Sequence, residues 1–91
     1  MVVLILERVP AGLRGALSRW LLEPKAGVFV GSVSGMVRER LWTKACRESR
    51  DGSCIMIHDD SREQGFTLRT WGEARRSVED FEGLFLVRMS N

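Results

Sequence analysis

The stretch from Glu7 to Ser34, ERVPAGLRGALSRWLLEPKAGVFVGSVS, decides the fold of this chain. It begins with a carboxylate that ends an apolar run, and it continues through Pro10 into a helical pattern that carries Arg14. A short strand bracketed by two glycines follows. The stretch therefore predicts an acid and a base on the two sides of one strand-to-helix turn, where helix N-termini present free N–H groups to phosphate.

The elements around this turn can be predicted from apolar periodicity. Met1–Glu7 is a nearly continuous apolar run, which is typical of a central strand buried on both faces. Apolar residues recur at helical spacing after Pro10, which predicts that Trp20 lies in the core and that Pro24 helps to stop the helix. The members of this stripe are Leu13, Ala16, Leu17, Trp20 and Leu21. Val28–Val30 then predicts a short strand.

The second half of the chain predicts one more helix and three more strands. Ser34 suits the N-cap of a helix whose apolar positions are Val37, Leu41 and Ala45. The strands are Cys54–Ile57, Phe66–Trp71 and Leu84–Val87, and the segment DDSREQG suits a hairpin between the first two. The order β-α-β-α-β-β-β predicts an α+β ferredoxin-like sandwich, with two helices on one face of a mostly antiparallel sheet.

Length, charge and cysteine usage limit the class of protein. The 91 residues make a single domain, residues 1–91, with a net charge of +2. Residues 1–50 hold nine Lys/Arg and four Asp/Glu, net +5, whereas residues 51–91 hold five and eight, net −3. This asymmetry suits an anionic polymer on one side; an unevenly charged solvated surface is the alternative. Cys46 and Cys54 have neither CxxC spacing nor companions, which indicates reduced thiols in a cytoplasmic protein.

Membrane insertion is not expected. The longest apolar run, Met1–Leu6, is far below the ~20 residues of a membrane-spanning helix. No basic segment precedes it, so a signal peptide is not expected either.

Glu7 is the candidate for metal-dependent chemistry because it lies at the carboxyl end of the first strand. Two such acids, paired across a two-fold axis, could hold Mg²⁺ and activate water on a phosphodiester. The alternative is a structural acid paired with a neighbouring arginine.

The segment HDDSRE, His58–Glu63, also gathers an imidazole and carboxylates. It lacks calcium-loop spacing and a second histidine, however, so a hairpin turn is favoured over a metal site.

The basic residues point to phosphate. Arg75 and Arg76 lie in a non-periodic segment, and guanidinium groups bind phosphate oxygens in bidentate fashion. Arg14 adds a charge near the free N–H donors of the first helix. Such contacts position a duplex without reading its bases, and a solvated arginine pair is the alternative. Trp42 and Trp71 suit a core or an interface, and stacking of a single strand would require clustered exposed aromatics.

Several motifs in one order make this chain resemble the Cas-two family of CRISPR-associated adaptation proteins, specifically its type I-E branch. They are VPxxLRGxLxxWLLE at Val9–Glu23, AGVFVGSVS at Ala26–Ser34, RExxW at Arg38–Trp42, GFxxxTxG at Gly65–Gly72, RR at Arg75–Arg76 and DxxGLxLV at Asp80–Val87. The resemblance covers nearly the whole chain.

The resemblance implies a ferredoxin-like homodimer that bridges two dimers of the Cas-one integrase. The complex inserts captured duplex DNA as spacers into a CRISPR array. The integrase supplies the catalytic residues, and the Cas-two dimer braces the duplex without requiring a cofactor. The DNA-contacting arginines of the family map onto Arg14, Arg75 and Arg76, whereas a further basic position of the family is Gly12 here. The region that docks against the integrase maps onto Leu84–Asn91.

Other branches of the family are described as metal-dependent nucleases that use an aspartate at the position of Glu7. The alternative function is therefore a Mg²⁺-dependent endonuclease, acting on RNA or double-stranded DNA through paired Glu7 residues. The longer side chain and the single acid per chain favour the non-catalytic scaffold.

Overall fold

The computed structural model of the chain describes residues 1–49, 52–61 and 65–72. The elements are β1 (Val2–Leu6), α1 (Ala11–Ser18), β2 (Leu22–Lys25), β3 (Val28–Gly31), α2 (Gly35–Glu48), β4 (Cys54–Asp59) and β5 (Phe66–Trp71). The strands form one sheet in the order β2-β3-β1-β4-β5, and every pair of neighbours is antiparallel. The predicted α+β ferredoxin-like arrangement is confirmed.

The central strand β1 organises the sheet because it is apolar at every position. Its β-branched and leucine side chains suit a pleated, buried surface. Leu4 lies opposite Phe29 of β3 on one side and opposite Met56 of β4 on the other. Burial alternates along β1, with Val2, Leu4 and Leu6 fully covered and the residues between them half-buried. The face of the sheet that carries Val2, Leu4 and Leu6 therefore lines the core, and we call it the inner face.

Both helices pack against that inner face. The core joins side chains of β1, β3 and β4 to those of α1 and α2, and its buried members are Val2, Leu4, Leu6, Leu13, Leu17, Leu21, Phe29, Leu41, Ala45, Cys54 and Met56. The predicted N-cap of α2 is confirmed, since Ser34 Oγ accepts a hydrogen bond from the backbone N–H of Val37 at 3.2 Å. Within the described residues, neither helix is long and apolar enough to cross a membrane.

Strand β2 corrects the sequence analysis at Pro24. The apolar stripe predicted a helix continuing to Leu21 and stopped by Pro24, but α1 ends at Ser18 and Pro24 lies inside β2. Strand β2 is at the edge of the described sheet, and its register with β3 shifts between Leu22 and Lys25. A proline is tolerated at such a position, because an edge strand need not donate all of its N–H groups.

The early end of α1 also corrects the prediction for Trp20. This side chain is 53% exposed, whereas Leu21 beside it is buried. The backbone N–H groups of both residues donate to the carbonyl of Leu17, which closes the helix. The turn then directs Leu21 into the core, and the larger indole lies at the surface. Trp71 is also exposed, at 49%, and Trp42 is half-buried against the core.

The hairpin predicted for DDSREQG is confirmed by the pairing of β4 with β5 from Cys54↔Trp71 to Asp59↔Phe66. The backbone N–H of Asp60 donates to the carbonyl of Gly65 at 3.2 Å, and the Thr67 hydroxyl donates to the Asp60 carboxylate. Cys46 and Cys54 are unpaired thiols, as expected. The predicted strand Leu84–Val87 lies outside the described residues.

Candidate nucleic-acid interface

The turn between β1 and α1 is held from both sides by backbone hydrogen bonds. The N–H of Leu6 donates to the carbonyl of Gly27 at 2.8 Å, and the N–H of Glu7 donates to the carbonyl of Ser53 at 3.0 Å. Pro10 stands at the N-cap of α1, where its missing N–H leaves no donor unsatisfied. The carbonyl of Pro10 accepts from the N–H of Arg14 at 2.9 Å, which begins the helix.

Glu7 directly follows the last residue of β1, at the strand end predicted for it, and its side chain is exposed. Its Oε2 atom accepts a hydrogen bond from Ser53 Oγ at 3.1 Å. Among the described arginines none forms an ion pair with Glu7, so Ser53 takes the place that the sequence suggested for an arginine. The described residues contain no group of three or more His, Cys, Asp and Glu side chains that could hold a metal ion. Within the described part of the chain, the Glu7 carboxylate therefore has no metal-ligating cluster around it.

Arg14 lies on α1 and is fixed by an acid that the sequence analysis did not identify. Its Nε donates to both carboxylate oxygens of Glu23, at 3.0 and 3.2 Å. Glu23 Oε2 also accepts from the backbone N–H of Gly27 at 2.9 Å. The Gly27 hydrogen bond and then the Arg14 guanidinium hold the pKa of Glu23 below its ordinary value. The ion pair therefore joins α1 to β2, between residues nine positions apart, and the Gly27 hydrogen bond extends the contact to the β2–β3 turn.

The ion pair occupies only the inner nitrogen of the Arg14 guanidinium. The two terminal nitrogens make no hydrogen bond with any described residue, and the side chain is 46% exposed. Holding the guanidinium by Nε reduces the side-chain entropy lost when the outer edge binds an anion. Arg14 is therefore a positioned, partly solvated donor at the beginning of α1. Arg75 and Arg76, the other two predicted contacts, lie outside the described residues.

A second basic cluster joins α2 to β5 and was missed by the sequence analysis. Arg69 Nη1 donates to both carboxylate oxygens of Glu39 at 2.7 and 2.6 Å, and Arg38 Nε donates to Oε2 at 3.1 Å. The Arg69 guanidinium also lies over the Trp42 ring, 5.3 Å from its centroid. The adjacency of Arg38 and Glu39 was visible in the sequence, but nothing local indicated a strand arginine thirty positions away.

The Glu39 carboxylate provides a test of this cluster in acid. The Arg69 hydrogen bond, followed by the Arg38 hydrogen bond, holds the pKa of Glu39 below its ordinary value of 4.5. Its stabilising contribution is complete above pH 4.5 and is lost as the pH falls through the lowered pKa. We expect Glu39→Gln to cost about 0.5–1 kcal/mol at pH 7, the range of exposed ion pairs. The difference from wild type should shrink toward pH 3 in urea unfolding. An equal difference at both pH values would contradict this role.

The HDDSRE segment does not form a metal site within the described residues. Its Asp59 carboxylate accepts from the Met1 amino group at 2.9 Å, because β1 and β4 are paired. His58 Nδ1 lies 2.9 Å from the Asp59 carbonyl. Both contacts are typical of a strand end beside a hairpin turn.

The two thiols are shifted toward their protonated form. Burial raises the pKa of the Cys46 thiol to about 11, and burial also raises the pKa of the Cys54 thiol.

Comparison with known families agrees with the fold and the sequence motifs. A family model described as CRISPR-associated protein (Cas_Cas2CT1978) matches residues 1–86. The match spans every described element, from β1 through β5, together with the positions of Glu7, Arg14, Arg75 and Arg76. The chain therefore belongs to this Cas-two-like family of CRISPR-associated proteins.

Proposed function

We propose that this chain is the DNA-bracing scaffold of a CRISPR adaptation complex of type I-E. It acts as a homodimer that bridges two dimers of the Cas-one integrase and contacts the phosphates of captured duplex DNA, and it does not cut that DNA. The observation that carries this proposal is the family match over residues 1–86. The geometry around Arg14 and the composition of the sheet supply physical support.

Arg14 supports the phosphate contact because its guanidinium is already oriented. With Nε bonded to Glu23, the terminal nitrogens make no hydrogen bond with any described residue and can donate to phosphate oxygens. Arg75 and Arg76 would add two further contacts, as the family resemblance implies. Contacts of this kind fix the position of a duplex and are indifferent to its sequence, which suits a protein that accepts arbitrary DNA fragments.

The outer face of the sheet supports the homodimer. Register places on this face the residues that alternate with the core positions, and most of them are apolar; the polar exceptions are Lys25, Asp59 and Thr70. They include Leu22, Val28, Val30, Val3, Ile5, Ile55, Ile57 and Leu68. An antiparallel sheet that faces water is usually polar on that side, so this composition favours a covering partner. A second copy of the chain suits this face, because the same apolar surface on both copies would pack together about a two-fold axis.

The alternative is the Mg²⁺-dependent endonuclease that acts through two Glu7 residues, one from each copy. Glu7 favours it only by its exposure at the end of β1. Mg²⁺ prefers octahedral oxygen ligands and often binds through one or two carboxylates with several waters. The described donors near this position are the Glu7 carboxylate and the Ser53 hydroxyl. A pair of Glu7 side chains would meet the minimum of this requirement and no more, so the scaffold is the better proposal.

Spacer acquisition with the cognate integrase separates the two functions. We expect Arg75→Ala with Arg76→Ala to reduce acquisition at least about tenfold, because each lost charged hydrogen bond weakens DNA binding. Glu7→Gln should leave acquisition within about twofold of wild type. It removes the charge and keeps an acceptor for Ser53.

The matched control is Arg8→Ala with Arg62→Ala, which removes the same charge from two positions outside the proposed contacts. Acquisition by this variant should be near that of wild type. Loss of acquisition in Glu7→Gln, with dimerisation preserved, would overturn the scaffold. Loss equal to that of the arginine variant in the control would show that net charge alone is responsible.

A further inference from the structure

A concave groove between α1 and α2 combines a tryptophan with three cations. Its volume is about 280 Å³. The apolar lining comes from Ala16, Val37 and Leu41, of which Leu41 is almost fully buried. The remaining lining residues are Arg19, Trp20, Arg40 and Lys44. No acidic side chain of residues 1–49, 52–61 and 65–72 lines the groove.

Trp20 is in this groove because α1 ends before it. The backbone of Trp20 closes the helix through its hydrogen bond to Leu17, 3.0 Å long, and the indole is left 53% exposed. Exposed indole rings are uncommon without a partner, since a large aromatic surface gains free energy when it is covered. The ring stands beside apolar side chains that are themselves accessible from the groove. It is therefore placed to stack on a flat ligand.

The cations at this groove are only partly neutralised. Lys44 forms an ion pair with Glu48, with Nζ 2.7 Å from Oε2. Neither Arg19 nor Arg40 forms an ion pair with any residue of the described part of the chain. A neighbouring groove shares Arg40 and Lys44 and is also lined by Glu39, Thr43 and Arg47. The Glu39 carboxylate is already paired with Arg38 and Arg69, and Arg47 lies 3.7 Å from the Glu48 carboxylate that also pairs with Lys44, so the groove keeps an excess of positive charge. The positive charge thus continues along α2 beyond the space that holds Trp20, as a chain of successive phosphates would require.

We propose that this groove binds an unpaired segment of a single-stranded nucleic acid. One base stacks on Trp20 against the apolar lining, and the adjoining phosphates contact Arg19 and Arg40 and then follow Lys44 and Arg47 along α2. A space slightly below the ~300–1,000 Å³ of small-molecule sites admits one base. A paired base in a duplex does not expose its face in this way. Stacking on an aromatic ring beside cations is the usual means of holding single strands without sequence preference.

This site goes beyond the proposed scaffold function and uses none of its residues. Arg14, Arg75 and Arg76 are not among its ligands. The groove lies on the helical side of the sheet, so a second copy packed on the outer sheet face would leave it open. The proposed single-strand site is therefore independent of duplex bracing. Direct binding to an oligonucleotide tests it without the integrase.

The test is fluorescence anisotropy of a labelled ten-nucleotide oligothymidine with the full chain. We expect Trp20→Leu to weaken binding about tenfold, within the range seen when a stacking aromatic is removed. Trp20→Phe should retain part of the affinity because it keeps an aromatic face. Arg40→Ala should weaken binding about fivefold. It should also lower the slope of log affinity against log salt by about 0.7, the value for one phosphate contact on a single strand.

Arg8→Ala is the matched control. It removes one positive charge from an exposed position in the turn between β1 and α1, outside the groove. Binding by this variant should stay within twofold of wild type. The proposal would be overturned by equal weakening in Arg8→Ala and Arg40→Ala, or by no effect of Trp20→Leu. It would also be overturned if blunt duplex DNA displaced the oligonucleotide as well as an unlabelled single strand does, or if anionic vesicles bound through Trp20 and the oligonucleotide did not.

Discussion

Gly27→Ala is expected to lower the free energy of unfolding by about 3 kcal/mol, a large fraction of the stability of a small domain. Two costs combine at this position. The backbone φ of Gly27 is +82°, a region in which an L side chain costs about 1–2 kcal/mol. A Cβ atom would also meet the backbone carbonyl oxygen of Leu6 far inside van der Waals contact. That carbonyl belongs to the central strand and cannot move aside cheaply, so overpacking adds about 1–3 kcal/mol.

The substitution would also disturb the functional turn. The Gly27 carbonyl accepts from Leu6, and its N–H donates to the Glu23 carboxylate that holds Arg14. Gly65→Ala is the matched control, since Gly65 has nearly the same φ, +87°, and no atom of the described residues lies within 4 Å of where its Cβ would be. It should cost only about 1–2 kcal/mol. Urea unfolding of both variants measures the difference. Equal losses would mean that backbone conformation, rather than contact with β1, dominates at Gly27.

Ile57→Lys is expected to weaken the proposed homodimer at least about 100-fold. Ile57 lies on β4 opposite Leu68, on the outer face of the sheet, and is half-buried in the single chain. A lysine there can extend its ammonium group to water in the monomer. If a second sheet covers the face, that charge is buried without a partner, at a cost of about 3 kcal/mol or more. The monomer should keep its fold while the dimer dissociates.

Sedimentation equilibrium measures this change, and circular dichroism verifies that the variant is folded. Met36→Lys is the control because Met36 is 67% exposed at the beginning of α2, away from the outer sheet face. It introduces the same charge and should leave the association unchanged. A second outer-face variant, Val28→Lys, should behave as Ile57→Lys does. A dimer that tolerates both outer-face substitutions would place the interface elsewhere and overturn this part of the proposal.

The two wrong predictions share one physical cause. Leu13, Ala16, Leu17, Trp20 and Leu21 fit a helical stripe, but helical spacing does not reveal where a short helix ends. The competing interaction is the pairing of Leu22 with Val30, which makes β2 an edge strand and draws the chain out of the helix. Pro24 is compatible with either outcome, as a helix breaker or as an edge-strand residue. Only the position of β3 decided between them.

Only part of the candidate site could be predicted from the sequence, because strand pairing again brings together residues that are far apart in the chain. Glu7 and Arg14 could be placed from local signals, a strand end and a helix start. Their partners could not: Ser53 is forty-six positions from Glu7, and Glu23 reaches Arg14 across the turn that was expected to be helix. The Arg69–Glu39 pair joins β5 to α2 in the same way. Contacts of this kind depend on strand register, which no short segment contains.

What the sequence alone determined about this protein is its class. The features that indicate this class each depend on a few neighbouring positions, so they can be recognised from the sequence. They are the apolar run of β1, the capped α2, the turn residues between β4 and β5, and the family motifs. The tertiary structure decided where α1 stops, which of two adjacent residues enters the core, and which acid holds Arg14. Those outcomes follow from competition between local helix formation and long-range strand pairing. The same competition leaves the indole of Trp20 exposed.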